Sequence, residues 1–323
     1  MKPVRWGIIS TGRIAHTFAK DLRHIEEGTV VAVGSRNLDS AKVFANEFGL
    51  ERAYGSYEEL VEDPEVDAVY VGTPHPMHLD NALLALNHGK PVLVEKAFTM
   101  NANEARELID VARAKKLFVM EAMWTRFLPH VGAIHDLTVA GALGELVTFE
   151  ADHGKWFPTD ASSRLFAPEL GGSALLDLGI YPVSFAFMLL GRPSRVLSLV
   201  EPSFTGVDGQ VSMLFGYDSG AHAVLTCTSS ARSPTRACIT GRDARIEIGG
   251  DFYAPASYRF ISRDGQSRTY RFDVPGRGLQ FQAIEVARCL DAGLLESPIM
   301  PLDETLAIME TLDLVLSNSG SAF

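Results

Sequence analysis

The chain has 323 residues, 46% of them hydrophobic and 21% charged, so it can bury the core of one large domain or two ordinary ones. A net charge of -11 without a Lys/Arg-rich run argues against a nucleic-acid partner. The three cysteines form no C-x-x-C pair and no apolar run approaches the length of a membrane span, so we expect a cytoplasmic protein without disulfides, structural zinc or membrane contact.

Short apolar runs alternate with amphipathic stretches over the first 122 residues. The runs predict strands at Val4–Ile9, Val30–Val33, Ala68–Val71, Val92–Val94 and Phe118–Met120. The stretches between them predict helices at Ile14–His24, Ser40–Phe48, Tyr57–Glu62, His78–His88 and Asn103–Lys115. This alternation predicts βαβ units, hence an α/β domain at 1–122 with a doubly wound parallel sheet.

The pattern changes after residue 122. Helices are predicted at Pro129–Ala140, Leu175–Leu190, Phe281–Ala292 and Asp303–Ser317. Between the second and third of them lie β-type runs, among them Val196–Val200, Val211–Tyr217, Ala221–Thr226, Ala237–Thr240 and Ala244–Ile248. Because consecutive strands without intervening helices favour antiparallel pairing, residues 123–323 are predicted to be an α+β domain with a large open, mostly antiparallel sheet.

The turn after the first predicted strand resembles a dinucleotide-binding fingerprint in which Ser10 replaces the first glycine. Gly12 stands where backbone must approach a pyrophosphate, and Ala15 where helix packs closely on strand. Ser10 can make the turn if its φ stays negative, and its hydroxyl adds a donor for phosphate. The start of the helix supplies free N–H groups for the same anion. The turn therefore predicts an NAD(P)-binding Rossmann domain whose cofactor contacts include Ser10, Thr11, Gly12, Arg13 and Ile14.

The end of the second strand decides which cofactor is preferred. NAD enzymes place Asp or Glu there to bind the ribose 2′-hydroxyl, whereas this chain has Ser35 and Arg36. A guanidinium forms paired hydrogen bonds with a phosphate. Ser35 and Arg36 therefore predict NADP, with NAD the less favoured cofactor.

Three residues are candidates for the chemistry. Glu95 and Lys96 lie at the end of a buried strand, at the sheet edge where α/β folds bind ligands, and both are also predicted to contact the cofactor. Asp177 and Tyr181 are four residues apart, so on a helix they share one face. A nearby ammonium lowers the pKa of a phenol, so Tyr181 and Lys96 could exchange a proton with an alcohol. Lys96, Asp177 and Tyr181 are the predicted catalytic residues, although a core tyrosine is the plain alternative for Tyr181.

Further candidates flank these positions. Thr73, Pro74 and His75 follow the strand predicted at Ala68–Val71 and are predicted to face the cofactor, whereas His78 is predicted only to begin a helix. The His75–His78 spacing lacks a third ligand, so no metal is predicted. Substrate contacts are predicted from the later chain, with packing as the alternative for each residue: Trp124, Arg126, Trp156 and Phe157.

Several motifs together resemble the Gfo/Idh/MocA oxidoreductases, and within them the dimeric dihydrodiol dehydrogenases and NADP-dependent D-xylose 1-dehydrogenases. The motifs are Ser10–Ala15, Tyr54–Leu60, Glu95-Lys96, Glu121–Phe127 and Asp177–Tyr181. The resemblance implies that Lys96, Asp177 and Tyr181 act at the substrate and that the second domain binds substrate and forms a homodimer. The family usually has proline after the lysine, whereas this chain has Ala97. Because cis bonds before other residues are rare, a trans Lys96–Ala97 bond is predicted.

These observations predict an NADP-dependent oxidoreductase that transfers a hydride between the nicotinamide and a secondary alcohol or carbonyl of a sugar, polyol or cyclic diol. One alternative is a reductase of an anhydro- or nucleotide-linked sugar. An alternative of another class is a non-catalytic NADP-binding sensor, which need not keep Lys96 and Tyr181. A short-chain dehydrogenase is excluded, because no tyrosine has lysine four residues later.

Overall fold

The computed structural model describes residues 2–318, which form two compact units. Within the described residues, the first unit comprises 2–127 and 275–306, and the second comprises 128–274 and 307–318. Residues 275–306 thus belong to the first unit. The domain prediction divided the chain only once, at residue 122, and assigned these residues to the second domain.

Residues 2–318 contain fourteen strands and nine α-helices. The strands are β1 (Val4–Ile9), β2 (Gly28–Gly34), β3 (Arg52–Tyr54), β4 (Ala68–Val71), β5 (Val92–Glu95), β6 (Val119–Ala122), β7 (Leu146–Gly154), β8 (Arg195–Pro202), β9 (Asp208–Gly216), β10 (His222–Thr228), β11 (Ala237–Gly241), β12 (Ala244–Ile248), β13 (Tyr258–Ser262) and β14 (Ser267–Tyr270). The helices are α1 (Arg13–Asp21), α2 (Leu38–Phe48), α3 (Tyr57–Glu62), α4 (His78–Asn87), α5 (Ala102–Lys115), α6 (Pro129–Val139), α7 (Ile180–Leu190), α8 (Gln280–Asp291) and α9 (Leu302–Ser317).

The sheet of the first unit is parallel, with strand order β3-β2-β1-β4-β5-β6. The doubly wound α/β prediction is therefore confirmed. The order reverses between β1 and β4, and ligands of such folds bind at the carboxyl ends of strands beside this point. Strand β3 was missed by sequence reasoning, because its three residues form no apolar run.

Helix starts in the first unit differ in how their free N–H groups are satisfied. Asn37, Ser56 and Asn101 each accept a hydrogen bond from a backbone N–H in the first turn of α2, α3 and α5, at 3.0 to 3.2 Å. Helix α1 begins after Gly12, which offers no side-chain acceptor. The N-terminus of α1 is therefore the one among these four that leaves its N–H groups available to a ligand.

The sheet of the second unit has the order β14-β13-β12-β11-β7-β10-β9-β8. Its neighbours pair antiparallel except for β7 and β10, which are parallel. This confirms the predicted large, mostly antiparallel sheet. Helix α7 packs on one face, where Phe185 stacks on Phe149 at 5.4 Å between ring centroids.

One apolar segment departs from the sequence expectation. Pro168–Leu190 is long and apolar enough to cross a membrane by length and composition, contrary to the expectation that no run approaches that length. Because 78% of its most apolar window is buried inside the protein, the segment behaves as the core helix of a globular unit.

Candidate functional site

The turn between β1 and α1 has a glycine-like backbone at a serine. Ser10 has φ of 130°, so the expectation of a negative φ is wrong. Its N–H donates to the Gly34 carbonyl at 3.1 Å, and its Oγ accepts the Gly12 N–H at 3.0 Å. These two bonds across the turn fix a conformation that residue type alone would disfavour.

The residues after this turn leave room for an anion. A Cβ built on Gly12 would meet only Ser10 Oγ within 4 Å, at 3.2 Å. Thr11 and Ile14 are partly exposed and Arg13 is exposed, whereas Ala15 is fully buried against the sheet. An uncapped helix start with an unobstructed glycine fits the pyrophosphate of a dinucleotide.

A cation lies at the end of β2. Ser35 is buried; its N–H donates to the Tyr54 carbonyl, and its Oγ accepts the Asn37 N–H. Arg36 is exposed and interacts with the phenol of Tyr57, the first residue of α3. Burial raises the pKa of Tyr57 above its ordinary value, and Arg36 opposes that rise. The sequence did not identify Tyr57 as a neighbour of Arg36, although Tyr57 belongs to the Tyr54–Leu60 motif.

The segment after β4 is joined to the segment after β5. His75 is buried, and its Nε2 lies 3.3 Å from the Lys96 carbonyl oxygen. His78 is fully buried, with Nδ1 and Nε2 each 2.9 Å from a carbonyl oxygen, those of Ala97 and Thr73. Burial lowers the pKa of His78, and the hydrogen bonds to these carbonyl oxygens oppose that shift. His78 does begin α4 as predicted, but it also bridges two segments of the site.

The end of β5 carries Glu95 and Lys96. Tyr70 donates its hydroxyl to Glu95 Oε1 at 2.5 Å, and Glu95 is buried. Lys96 is partly buried at the strand end, as predicted. The Lys96–Ala97 peptide bond is cis, so the trans prediction is wrong. The usual preference for a trans bond is overridden here by tertiary contacts to the neighbouring backbone. His78 contacts the Ala97 carbonyl, and Glu121 accepts the Phe98 N–H.

Trp124 and Arg126 lie in the turn after β6, and both are buried. The Arg277 guanidinium lies 5.6 Å from the Trp124 ring centroid. Arg126 forms an ion pair with Glu304 and lies within 3.4 Å of the Ile299 carbonyl oxygen. Arg126 is therefore engaged within the first unit, and its contact with substrate stays a prediction.

The second unit holds Asp177 and Tyr181 in an irregular helix. Residues Leu175–Gly179 form a π-helix that continues into α7, rather than the single α-helix predicted over Leu175–Leu190. A Cβ on Gly179 would come within 2.9 Å of Cys227 Sγ, so the glycine allows close packing on β10. Asp177 Oδ1 pairs with Arg164 at 3.0 Å. Arg164 has no motif around it, and sequence reasoning missed it.

Tyr181 lies in an aromatic cluster with His153 and Tyr253. Its ring centroid is 5.3 Å from that of His153 and 4.7 Å from that of Tyr253. Lys155 donates to the Tyr253 hydroxyl, and its Nζ lies 4.7 Å from the centroid of that ring. The cluster thus brings an ammonium and two phenols to one place, and Tyr253 was not anticipated from the sequence.

Two predicted substrate residues follow the end of β7. The Trp156 side chain is 65% exposed and Phe157 is partly exposed, both after the end of β7. Among residues 2–318, no group of three or more His, Cys, Asp or Glu side chains is placed to hold a metal ion.

The comparisons with known proteins agree with this architecture. Residues 4–123 match the oxidoreductase family with an NAD-binding Rossmann fold, and residues 131–250 match the GFO/IDH/MocA C-terminal domain. The chain is 37% identical to trans-1,2-dihydrobenzene-1,2-diol dehydrogenase of Bos taurus, over 99% of this chain and 98% of the relative. The same enzyme of Xenopus laevis is 38% identical over 98% of each chain.

Solved structures show the same fold. A 3-ketoreductase from Actinomadura kijaniata in complex with NADP and TDP-benzene is 27% identical, with a TM-score of 0.85 over 98% of both chains. An aldose-aldose oxidoreductase from Caulobacter crescentus has a TM-score of 0.90 over 98% of this chain and 97% of that one, at 23% identity.

The fold and the first βα turn thus define an NAD(P)-binding oxidoreductase of the Rossmann type. The chain belongs to the Gfo/Idh/MocA oxidoreductase family.

Proposed function

We propose that the protein is an NADP-dependent dehydrogenase that acts on a secondary alcohol of a sugar or cyclic diol, or on the corresponding carbonyl. The observation that carries the substrate class is the similarity, over nearly the whole chain, to dehydrogenases named for a cyclic diol. The preference for NADP rests on Arg36, an exposed cation after β2 where NAD enzymes have a carboxylate.

The residues of the chain have separate roles in this proposal. The uncapped start of α1 and Gly12 bind the pyrophosphate, and Arg36 binds the 2′-phosphate. A bound nicotinamide supplies hydride exchange with the alcohol carbon. Tyr181 takes the hydroxyl proton, which leaves the carbonyl product, and Lys96 orients the substrate oxygen. Asp177, held by Arg164, fixes the local geometry of the segment that carries Tyr181.

A reductase of a nucleotide-linked sugar is the second candidate. The solved 3-ketoreductase whose complex contains NADP and TDP-benzene favours it. Arg277, exposed beside Trp124, is an additional donor for a diphosphate.

We also propose a homodimer formed through the open face of the second unit's sheet. Leu197 on β8 pairs with Leu214 on β9, which pairs with Val224 on β10. These three side chains are 65%, 40% and 45% exposed. An exposed apolar row of this kind on a sheet face is typical of an interface. A cytoplasmic location remains our prediction from the cysteine pattern.

The decisive test of the proposed function is Lys96→Met. It should leave NADPH binding nearly intact and lower turnover by at least about a hundredfold, the scale of general acid–base assistance. NADP reduction is measured against aldoses, inositols and cyclic diols, with Lys115→Met on the exposed face of α5 as the matched control. Unchanged turnover in Lys96→Met would overturn the assignment.

A further inference from the structure

Glu121 is a buried carboxyl on β6, next to β5, the strand that ends just before Lys96. The parallel register places Glu121 beside Val94 of β5. Its side chain is 1% exposed, and Oε1 accepts the Phe98 N–H at 3.2 Å. Glu121 therefore binds the backbone two residues after Lys96.

A simple backbone acceptor does not need a carboxyl. An amide would accept the Phe98 N–H equally well, and burying a carboxylate costs free energy unless other charges compensate it. Within residues 2–318, the second oxygen of Glu121, Oε2, has no hydrogen-bond partner. The carboxylate must therefore be stabilised by surrounding charge rather than by a full set of hydrogen bonds.

The charges around Glu121 come from several elements. Lys96 after β5 and Arg126 after β6 favour its ionised form, whereas Glu95 on β5 opposes it. Arg126 is shared with Glu304 of α9, and His78 faces the adjoining Ala97 carbonyl. Burial outweighs the two cations and raises the pKa of Glu121 to about 7. Glu121 thus changes its charge near neutral pH, under the influence of the Arg126 and Lys96 cations.

We propose that Glu121 is a positioning residue for Lys96, because its carboxylate binds the backbone N–H of Phe98, two residues after Lys96, and balances the Lys96 charge. This inference rests on the proposed function, in which Lys96 orients the substrate. Above neutral pH, Glu121 is ionised and attracts the Lys96 ammonium. Below neutral pH, Glu121 gains a proton, and the attraction that favours the Lys96 ammonium is lost.

The test compares wild type with Glu121→Gln, which keeps the side-chain length and an acceptor for the Phe98 N–H but removes the charge. In wild type, kcat/KM should rise as the pH increases through about 7, since Glu121 loses its proton there. In Glu121→Gln that rise should be absent. Above a pH of about 7, kcat/KM of the variant should be about tenfold lower than that of wild type, the effect of one pKa unit. NADPH affinity should stay within about twofold of wild type.

Glu285→Gln is the matched control. Glu285 is also a buried carboxyl of the first unit, but it is held by Arg288 and Ser297. Its replacement should leave the inflection of the pH profile in place. A general loss of stability from removing a buried carboxyl would affect both variants, whereas only Glu121→Gln should remove the inflection.

Infrared difference titration of the wild-type protein provides a second measurement that does not require the variant to fold. It should show one buried carboxylic acid losing its proton near neutral pH. A wild-type pH profile in Glu121→Gln, or no such carboxyl in wild type, overturns the positioning role alone. Retained turnover in Lys96→Met overturns the proposed function instead, so the two failures are distinguishable.

Discussion

At the scale of single residues, Arg36 is the residue on which the proposed preference for NADP rests. Its guanidinium is exposed after β2 and interacts with the Tyr57 phenol. A 2′-phosphate can therefore form charge-assisted hydrogen bonds with Arg36, which a 2′-hydroxyl cannot match.

Arg36→Ala should weaken NADPH binding by about tenfold to a hundredfold, because a hydrogen bond to a charged group contributes about 1.5–3 kcal/mol. NADH binding should change by less than about twofold. Both affinities are measured by fluorescence titration. Arg23→Ala, which removes an exposed guanidinium 5.0 Å from the Phe48 ring centroid, serves as the control. Equal losses for the two cofactors, or a wild-type preference for NADH, would contradict the assignment of Arg36.

At the scale of elements, helix α8 is attached to helix α1. Asp21, the last residue of α1, is 3% exposed. Its carboxylate accepts the N–H groups of Arg277 and Leu279 just before α8, at 2.9 to 3.1 Å. One side chain near the start of the sequence thus organises a segment more than 250 residues later. This contact explains why residues 275–306 belong to the first unit.

Replacement of Asp21 by Ala should lower the free energy of unfolding by about 2 kcal/mol, because it leaves buried N–H groups without an acceptor. Urea unfolding followed by circular dichroism measures the change. Asp110→Ala on the exposed side of α5 is the control and should change stability by less than about 0.5 kcal/mol. If both variants unfold at the same urea concentration, the Asp21 contacts do not stabilise the unit.

At the scale of the whole molecule, the side chains on the open face of the second unit's sheet change from apolar to charged across the sheet, from β8 toward β13. Leu197, Leu214 and Val224 form its apolar end. Toward the other edge, Glu247 forms ion pairs with Arg245 and Arg259. A two-fold interface that buries the apolar end would leave these charged pairs near its rim, as in ordinary protein interfaces.

Leu214→Glu should convert the proposed dimer into a monomer, because two copies of an unpaired carboxylate would be buried at the centre of the apolar row. Light scattering coupled to size-exclusion chromatography measures the mass. Val43→Glu on α2, which replaces a valine that is 66% exposed in the first unit, should leave the mass unchanged. A wild-type monomer, or a Leu214→Glu dimer of wild-type affinity, would contradict the proposed interface.

The sequence by itself determined the βαβ alternation, the later antiparallel strands and the positions of Gly12, Ala15 and Lys96. These follow from local periodicity and from short motifs, since strand and helix formation depend largely on neighbouring residues. It could not reveal the positive φ of Ser10, the cis bond after Lys96 or the π-helix around Asp177. Tertiary contacts decide those conformations against local preference.

The tertiary structure also decided which distant side chains meet. The contacts of Asp21 with Arg277, Glu121 with Phe98, and Lys155 with Tyr253 join residues 23 to 256 positions apart. No local pattern encodes such pairings, because they depend on the register of strands and on how buried polar groups find partners. The sequence therefore predicted the family and the main candidates, and the fold supplied the residues that hold them in place.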